Sequence, residues 1–443
     1  MIDINPELLT ILMFSGLIVG LLLGHQLAFV LGGLAVIFGF LAWGPGSFGM
    51  FMSRIYSMMD NYVLIAIPLF ILMAQLLGQS KVSENLFDSL RYLLGPIRGG
   101  IAVAVVVVSV LFAACTGIIG ASVVTMGVLA LPLMIRYQYD KKLSTGVICA
   151  GGTLGILIPP SIMLIVMGSE TGLSVGQLFA GALLPGIILG VLYLAYVVVM
   201  CYLHPELGPS LSLEERRSIS RREILFKVLK SLVPPMILIL GVLGSIFAGI
   251  ATPTEAAGMG AALALVLIFC YRRFSWTMLF EAVTVTTRAT SMVLIVAVGA
   301  TCFTGVFLGT GGGTVVSEFI MSMGMGKWGI FLVMMFINFI LGMFIDWLGI
   351  VMITFPIFVP IAASLGFDKL WFVVISAVML QNSFLTPPFG YALIYLRGIA
   401  PQEVSTQEIW YGALPFVAIM LVGFILCTFL PETILWLPAL VVK

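Results

Sequence analysis

"GTLGILIPPSIML", residues 152–164, lies inside a stretch without charge that runs from Leu143 to Ser169. A stretch of that length crosses a bilayer, yet Pro159 and Pro160 stand in its middle. Proline lacks the backbone N–H and clashes with the preceding turn, so a pair of them breaks a helix. A carbonyl released in lipid finds no water to replace its lost donor. Such a break is costly unless it serves something, and its purpose decides how the rest of the chain is read.

Composition supports a membrane setting. Of 443 residues, 61% are hydrophobic and 9% charged, with a mean hydropathy of +1.21. A soluble chain cannot hide that much apolar surface, whereas a polytopic membrane protein turns it toward lipid. The net charge of +1 supplies no field for nucleic acid. Cys115, Cys149, Cys201, Cys270, Cys302 and Cys427 are scattered singly, and the two histidines cannot build a histidine metal site. The opening "MIDINPELLT" lacks a basic n-region, so the first apolar run reads as a retained span. Spans are expected near 8–24, 27–44, 61–79, 98–114, 143–168, 177–203, 231–250, 256–272, 287–309, 328–345, 371–396 and 411–437. "GTGGGT" (309–314) is not followed by Gly-Lys-Ser/Thr, so it is no phosphate-binding loop. With no nucleophile–base motif either, the chain does not read as an enzyme.

The one sizeable polar connection is 204–230, made basic by Arg216, Arg217, Arg221, Arg222, Lys227 and Lys230. The positive-inside rule puts it in the cytoplasm. It reads as a linker with an amphipathic helix, or as a surface for lipid headgroups or a partner. It also divides the chain into two halves that resemble each other. A shift of 228 superposes "GASVVTMGVLALPLM" (120–134) on "LGIVMITFPIFVPIA" (348–362), and "GTLGILIPPSIML" on "LQNSFLTPPFGYA" (380–392). Identities are few, but the prolines coincide. Interrupted apolar segments at matching positions of two halves point to a transporter binding site.

A broken helix offers unpaired carbonyls to a hard cation and a positive helix N-terminus to an anion. Hydroxyls stand nearby: Ser161 at the first break, Ser383 and Thr386 at the second, Ser122 and Thr125 in the preceding run. The simpler reading is a pair of proline kinks repaired by neighbouring helices. Asp346, in "LGMFIDWLGI", is the sharpest single residue. A carboxylate at membrane depth costs about 2.5–3.5 kcal/mol, which makes it an ion ligand, gate or proton carrier unless it caps the next helix. Glu255, in "ATPTEAAG", reads as part of a helix cap with Thr252 or Thr254. Arg288 and Arg397 read as snorkelling to an interface, with contact to an anionic substrate as the alternative.

"NYVLIAIPLFILMAQLL" (61–77), "GGTLGILIPPSIMLIVMG" (151–168), "GIATPTEAAG" (249–258), "GMFID" (342–346) and "LTPPFGYALIYLRGIAP" (385–401) together resemble the large membrane subunit, M or DctM-like, of tripartite ATP-independent periplasmic (TRAP) transporters. The likeness covers essentially the whole chain. It implies an all-α polytopic membrane protein of elevator type, with two inverted repeats, each holding a helical hairpin and a broken transmembrane helix. The implied organisation is an N-terminal scaffold and arm (1–96), a first transport repeat (97–203; hairpin 113–137, broken helix 143–168) and the cytoplasmic basic loop (204–230). Central scaffold helices (231–286), a second repeat (287–402; hairpin 343–367, broken helix 371–396) and a C-terminal scaffold helix (403–443) complete it.

By the same resemblance the chain sits in the bacterial inner membrane and imports a small organic anion, a carboxylate or sulfonate, coupled to Na+. Its implied partners are a separate small four-span membrane subunit and a periplasmic substrate-binding protein. A stand-alone sodium/dicarboxylate symporter of elevator type is the alternative. Sodium site 1 would use Ile119, Ser122, Gly155, Ile158 and Pro160, and sodium site 2 Gly342, Ser383, Thr386 and Phe389. Asp346, Ser122, Thr125 and Ser161 would meet the substrate. The sequence departs from the family pattern in "CTGIIGASVV", which has fewer serines, and in Ser383, where a glycine is common.

Overall fold

The computed structural model describes residues 5–117, 119–211, 221–388 and 390–441. Phe389, and Arg216 and Arg217 of the basic connection, lie outside these. The first half comprises α1 (Pro6–Leu22), α2 (Leu27–Trp43), α3 (Ser47–Met59), α4 (Ala66–Gln79), α5 (Val82–Leu94), α6 (Gly100–Thr116), α7 (Ile119–Arg136), α8 (Lys141–Thr153), α9 (Ile162–Thr171) and α10 (Val175–Leu203). The second comprises α11 (Arg221–Phe247), α12 (Pro253–Cys270), α13 (Trp276–Gly309), α14 (Gly312–Ser322), α15 (Lys327–Gly342), α16 (Trp347–Ser364), α17 (Lys369–Gln381), α18 (Tyr391–Ile399), α19 (Thr406–Phe429) and α20 (Glu432–Val441). Among the described residues nine helices are long and apolar enough to cross a membrane. Of the three expected spans that hold Pro-Pro pairs, two are absent from that set because they are broken, into α8 and α9 and into α17 and α18, whereas Pro234 and Pro235 lie inside the unbroken α11.

Helix starts follow ordinary capping chemistry. Thr252 and Glu255 form a capping box at α12, and Ser405 and Glu408 form another at α19. Glu255 is thus a cap, as its surroundings in the sequence indicated. The run expected as one span at 411–437 is two helices, separated before Pro431, which cannot continue α19. The span expected from 231 begins with α11 at Arg221, so Lys227 and Lys230 lie on its first turns, with Lys227 3.0 Å from Glu223. Each hairpin is larger than its expected range. Gly117, at φ +59°, turns α6 into α7, and residues 343–346 turn α15 into α16. Residues 113–137 and 343–367 hold only the tips and second arms.

The internal repeat covers nearly the whole chain. Adding 228 to the bounds of α7, α8 and the 3₁₀ turn Leu154–Ile156 yields those of α16, α17 and the 3₁₀ turn Asn382–Phe384. The same shift brings α2 to within two residues of α12, and α9 to within one residue of α18. It lays α3 and α4 along the single long helix α13. Equivalent aspartates cap equivalent helices: Asp140 accepts from Leu143 N–H and Asp368 from Trp371 N–H, both at 2.8 Å.

Three contacts set how the repeats face each other. Lys141, at the start of α8, donates to Glu403 O at 2.6 Å, just beyond the end of α18. Lys369, at the start of α17, donates to Thr171 O at the end of α9. Midway, Gln381 Nε2 lies 3.4 Å from Thr153 Oγ1, and these residues are themselves 228 apart. Equivalent residues meet only beside a two-fold axis. The broken helices therefore run antiparallel, with α8 against α18 and α17 against α9, and the repeats are inverted.

The segment after α10 anchors one end of this assembly. Leu207 O accepts from Asp140 N–H at 3.0 Å, and Gly208 O from Gly99 N–H at 2.8 Å. Close packing elsewhere depends on glycine, as membrane helices without a hydrophobic driving force require. A Cβ on Gly146 would fall 2.0 Å from Gly412 O, and one on Gly412 would fall 2.2 Å from Lys142 O. Gly146→Leu should therefore force α8 and α19 apart and cost about 1–3 kcal/mol, the usual range for overpacking. A thermal melt in detergent reads this as a lowered midpoint. Gly244→Ala, where nothing lies within 4 Å, should leave the midpoint level or raise it.

Candidate functional site

The two breaks release particular carbonyls. In a helix the donors to Gly155 O and Ile156 O would be the N–H groups of residues 159 and 160, and both are proline. At the second break Pro387 and Pro388 remove the donors to Ser383 O and Phe384 O. Ser161 recovers one of the four, its hydroxyl donating to Ile156 O while accepting from Leu164 N–H as the N-cap of α9. Gly155 O and Ser383 O are left at matching positions. Both Pro-Pro peptide bonds are cis.

A hairpin tip presses on each break. A Cβ on Gly117 would come within 2.8 Å of Pro160 O, so the tip of the first hairpin rests on the break with no side chain between. Ile119 opens α7 immediately after that tip and lines one cavity with Gly117 and Ile156 of the break. Ser122, fully buried, follows one turn later on α7. At the second break a Cβ on Gly342 would fall 1.7 Å from Ser383 Oγ. Thr386 donates its hydroxyl to Asn382 O at 2.6 Å. Of the residues expected in the two sodium sets, Pro160 is met by the first tip and Gly342 and Ser383 meet each other; nothing is described of Phe389.

Between the tips lies a cavity of about 190 Å³ whose lining includes Gly117, Ile119, Gly120, Asp346, Tyr391 and Tyr395. Asp346 caps α16, accepting from Leu348 N–H at 3.3 Å. The capping expectation holds, and the capped residue also lines the cavity. Among the described residues no Lys, Arg or His nitrogen lies within 4.0 Å of its carboxylate. Ser122, Thr125 and Ser161 are not part of this lining. Arg397 donates to Val404 O at 2.7 Å, and Arg288 is exposed outside the cavity.

Tyr391 and Tyr395 escaped the sequence reading. They stand four apart in "GYALIYLRG", one face of a helix, and that spacing was their available signal. A second cavity, of about 300 Å³, holds Arg54, Asn61, Ser169, Glu170, Thr301 and Thr304, and shares Val293 with the first. Asn61 Nδ2 donates to Ser169 Oγ at 2.7 Å. The shared residue stacks the two spaces along α13, beyond the Asp346 cavity on the side where α9 ends.

Two inverted broken helices, each touched by a hairpin tip and flanking a cavity with one carboxylate, define an α-helical membrane transport protein. A sequence model of the tripartite ATP-independent periplasmic transporter DctM component matches residues 14–433, and the chain belongs to that family. It is 31% identical to the C4-dicarboxylate TRAP transporter large permease protein DctM of Pseudomonas aeruginosa, over 92% of this chain and 93% of that protein. It is 28% identical to the sialic acid TRAP transporter large permease protein SiaM of Vibrio cholerae, covering 86% of this chain and 87% of the relative. The isethionate TRAP transporter permease protein DctMQ of Oleidesulfovibrio alaskensis is also 28% identical, over 90% of this chain but 62% of that longer protein. The YdaH transporter of Alcanivorax borkumensis, a solved structure described as having an unusual topology, aligns with a TM-score of 0.63 over 97% of this chain and 99% of its own. At 13% identity that likeness concerns the fold. The chain is accordingly a TRAP large permease subunit, a multi-pass protein of the bacterial inner membrane.

The breaks also differ in a way that can be tested. Where the second repeat pairs Gly342 with Ser383, the first has Ala114 and Gly155 at the matching positions. Gly342→Ala alone should clash with Ser383 and lower stability by about 1–3 kcal/mol. Adding Ser383→Gly recreates the first repeat's pairing and should recover most of the lost melting temperature.

Proposed function

We propose that this subunit carries a small organic anion inward together with Na+, by an elevator-type movement of the two repeats against the outer helices. The observation that carries the reading is the pair of matched breaks, each with freed carbonyls and each met by a hairpin end, at Pro160 and at Ser383. Sodium takes oxygen ligands, and at membrane depth neutral oxygens hold it without importing further charge. Gly155, Ile158 and Pro160 with Ile119 and Ser122 form the first such set. Gly342, Ser383 and Thr386, with Phe389, form the second. Both fit a cation on chemical grounds, because they offer neutral oxygens, among them the Gly155 and Ser383 carbonyls whose helical donors are replaced by proline.

Each set joins a tip to a break, so cation binding there ties both hairpins to the broken helices. The half-helices α9 and α18 begin after the breaks, and their N-terminal N–H groups favour an anion. Asp346 orders the second tip and draws the cation rather than the anion, which it repels. Tyr391 and Tyr395 offer hydroxyls to the anion without adding charge.

The named relatives act on C4-dicarboxylates, sialic acid and isethionate, so the substrate class here is a carboxylate or a sulfonate. The partners follow the tripartite description of the family: a small four-span membrane subunit and a periplasmic binding protein. The isethionate relative extends well beyond the region this chain matches, which leaves room for such a subunit in that protein.

Proteoliposomes holding this chain with its small subunit, given labelled organic anion, test the arrangement. Uptake should require the purified binding protein; uptake of equal rate without it favours a stand-alone sodium/dicarboxylate symporter. Asp346→Asn should abolish uptake while insertion and yield remain normal, and coupled uptake retained by this variant would contradict the role given to Asp346.

A further inference from the structure

The second break holds buried carboxamides where the first has the apolar side chains of Val110 and Leu154. Asn338 and Asn382 are 0% exposed and Ser383 3%, and none of their side-chain nitrogen or oxygen atoms has a hydrogen-bond partner among the described residues. A buried carboxamide without a partner costs about 1–3 kcal/mol in proteins, so three such groups at one place require an occupant.

They do lie at one place. Helix α15 runs beside α17 and the following 3₁₀ turn in one register. Met335 Sδ meets Ser376 Oγ at 4.0 Å across 41 positions, and Gly342 meets Ser383 across another 41. Asn338 sits between these contacts, one turn before Gly342, and Asn382 adjoins Ser383. The first repeat supplies an independent check. The residues matching Asn338 and Asn382 are Val110 and Leu154, and both lie within 4 Å of the point a Cβ on Gly190 would occupy. Equivalent side chains are thus neighbours where they are apolar.

We infer that Asn338 and Asn382, with the Ser383 hydroxyl, place side-chain oxygens around a monovalent cation at the second break, making it a different and tighter site than its counterpart. The inference rests on the sodium reading above. Three neutral oxygens in an apolar surround suit a singly charged hard cation, whereas a divalent ion would demand carboxylates. At the first break Val110, Leu154 and Gly155 offer no side-chain oxygen at all. The first set therefore has only the Ser122 hydroxyl beside its backbone carbonyls, and the second adds carboxamides.

The test is a thermal melt of the full chain in detergent, titrated with NaCl against choline chloride at constant ionic strength. The variant Asn338→Val with Asn382→Leu installs the first repeat's side chains. Wild type should melt higher in Na+, and the variant should need at least tenfold more Na+ for the half-maximal shift. An unchanged half-maximal concentration, with a raised melting point in choline, would mean the pocket holds water, and would overturn this inference alone. A wild type that ignores Na+ would overturn the sodium reading as well. Should the double variant not fold, Asn382→Ala, which removes one carboxamide without overfilling, should show the same weakening, and its absence would count against the proposal.

Discussion

A backbone carbonyl in hydrocarbon must keep a donor, and here four prolines remove the donors of four carbonyls at the centre of an apolar protein. The rest of the structure can be understood as the answer to that demand. Ser161 covers Ile156 O. Gly117 brings the first hairpin tip against Pro160 O, and Gly342 brings the end of α15 against Ser383. Of the four carbonyls, those left uncovered among the described residues belong to Gly155, Ser383 and Phe384, and the first two are corresponding oxygens of the two repeats. Polar backbone at this depth is tolerated where protein encloses it or where it lines a cavity, and Ile156 and Phe384 of the two breaks line the cavity around Asp346.

Inversion gives the arrangement its economy. Because Thr153 and Gln381 meet beside the two-fold axis, the breaks lie close together although their helices enter from opposite sides. Each hairpin tip then reaches the same central level from its own side. The lysines that open α8 and α17 bond to the far ends of the other repeat's broken helix, and so hold the antiparallel pair at both ends. Departures from the symmetry are confined and chemical. Asp346, Asn338 and Asn382 match Ile118, Val110 and Leu154 in the sequence, so at these three positions only the second repeat is polar.

Much of this was legible in the chain itself. Proline placement at a shift of 228 exposed the repeat, and an acidic residue in an apolar stretch singled out Asp346, because each is a violation of membrane rules that a lone sequence displays. The repeat proved far longer than the matched segments, since α2 and α12 share position and hydropathy but no recognisable residues. Amphipathic helices such as α3 and α5 went unseen, being too polar to read as spans and too apolar to read as loops. Tyr391, Tyr395 and Arg54 were missed for another reason: their neighbours come from other helices, and no local pattern records which face meets which. Asn338 and Asn382 broke the same rule as Asp346 without carrying charge, and a carboxamide in an apolar span can be read with the same suspicion as a carboxylate.

The central claim is that the paired breaks couple anion movement to sodium. It is tested most directly by loading proteoliposomes with the complete assembly and its binding protein, and recording labelled anion uptake as an inward Na+ gradient is imposed and then collapsed with an ionophore. The account predicts accumulation that rises with the gradient and drains when it is dissipated. Accumulation that persists with no Na+ on either side would contradict it.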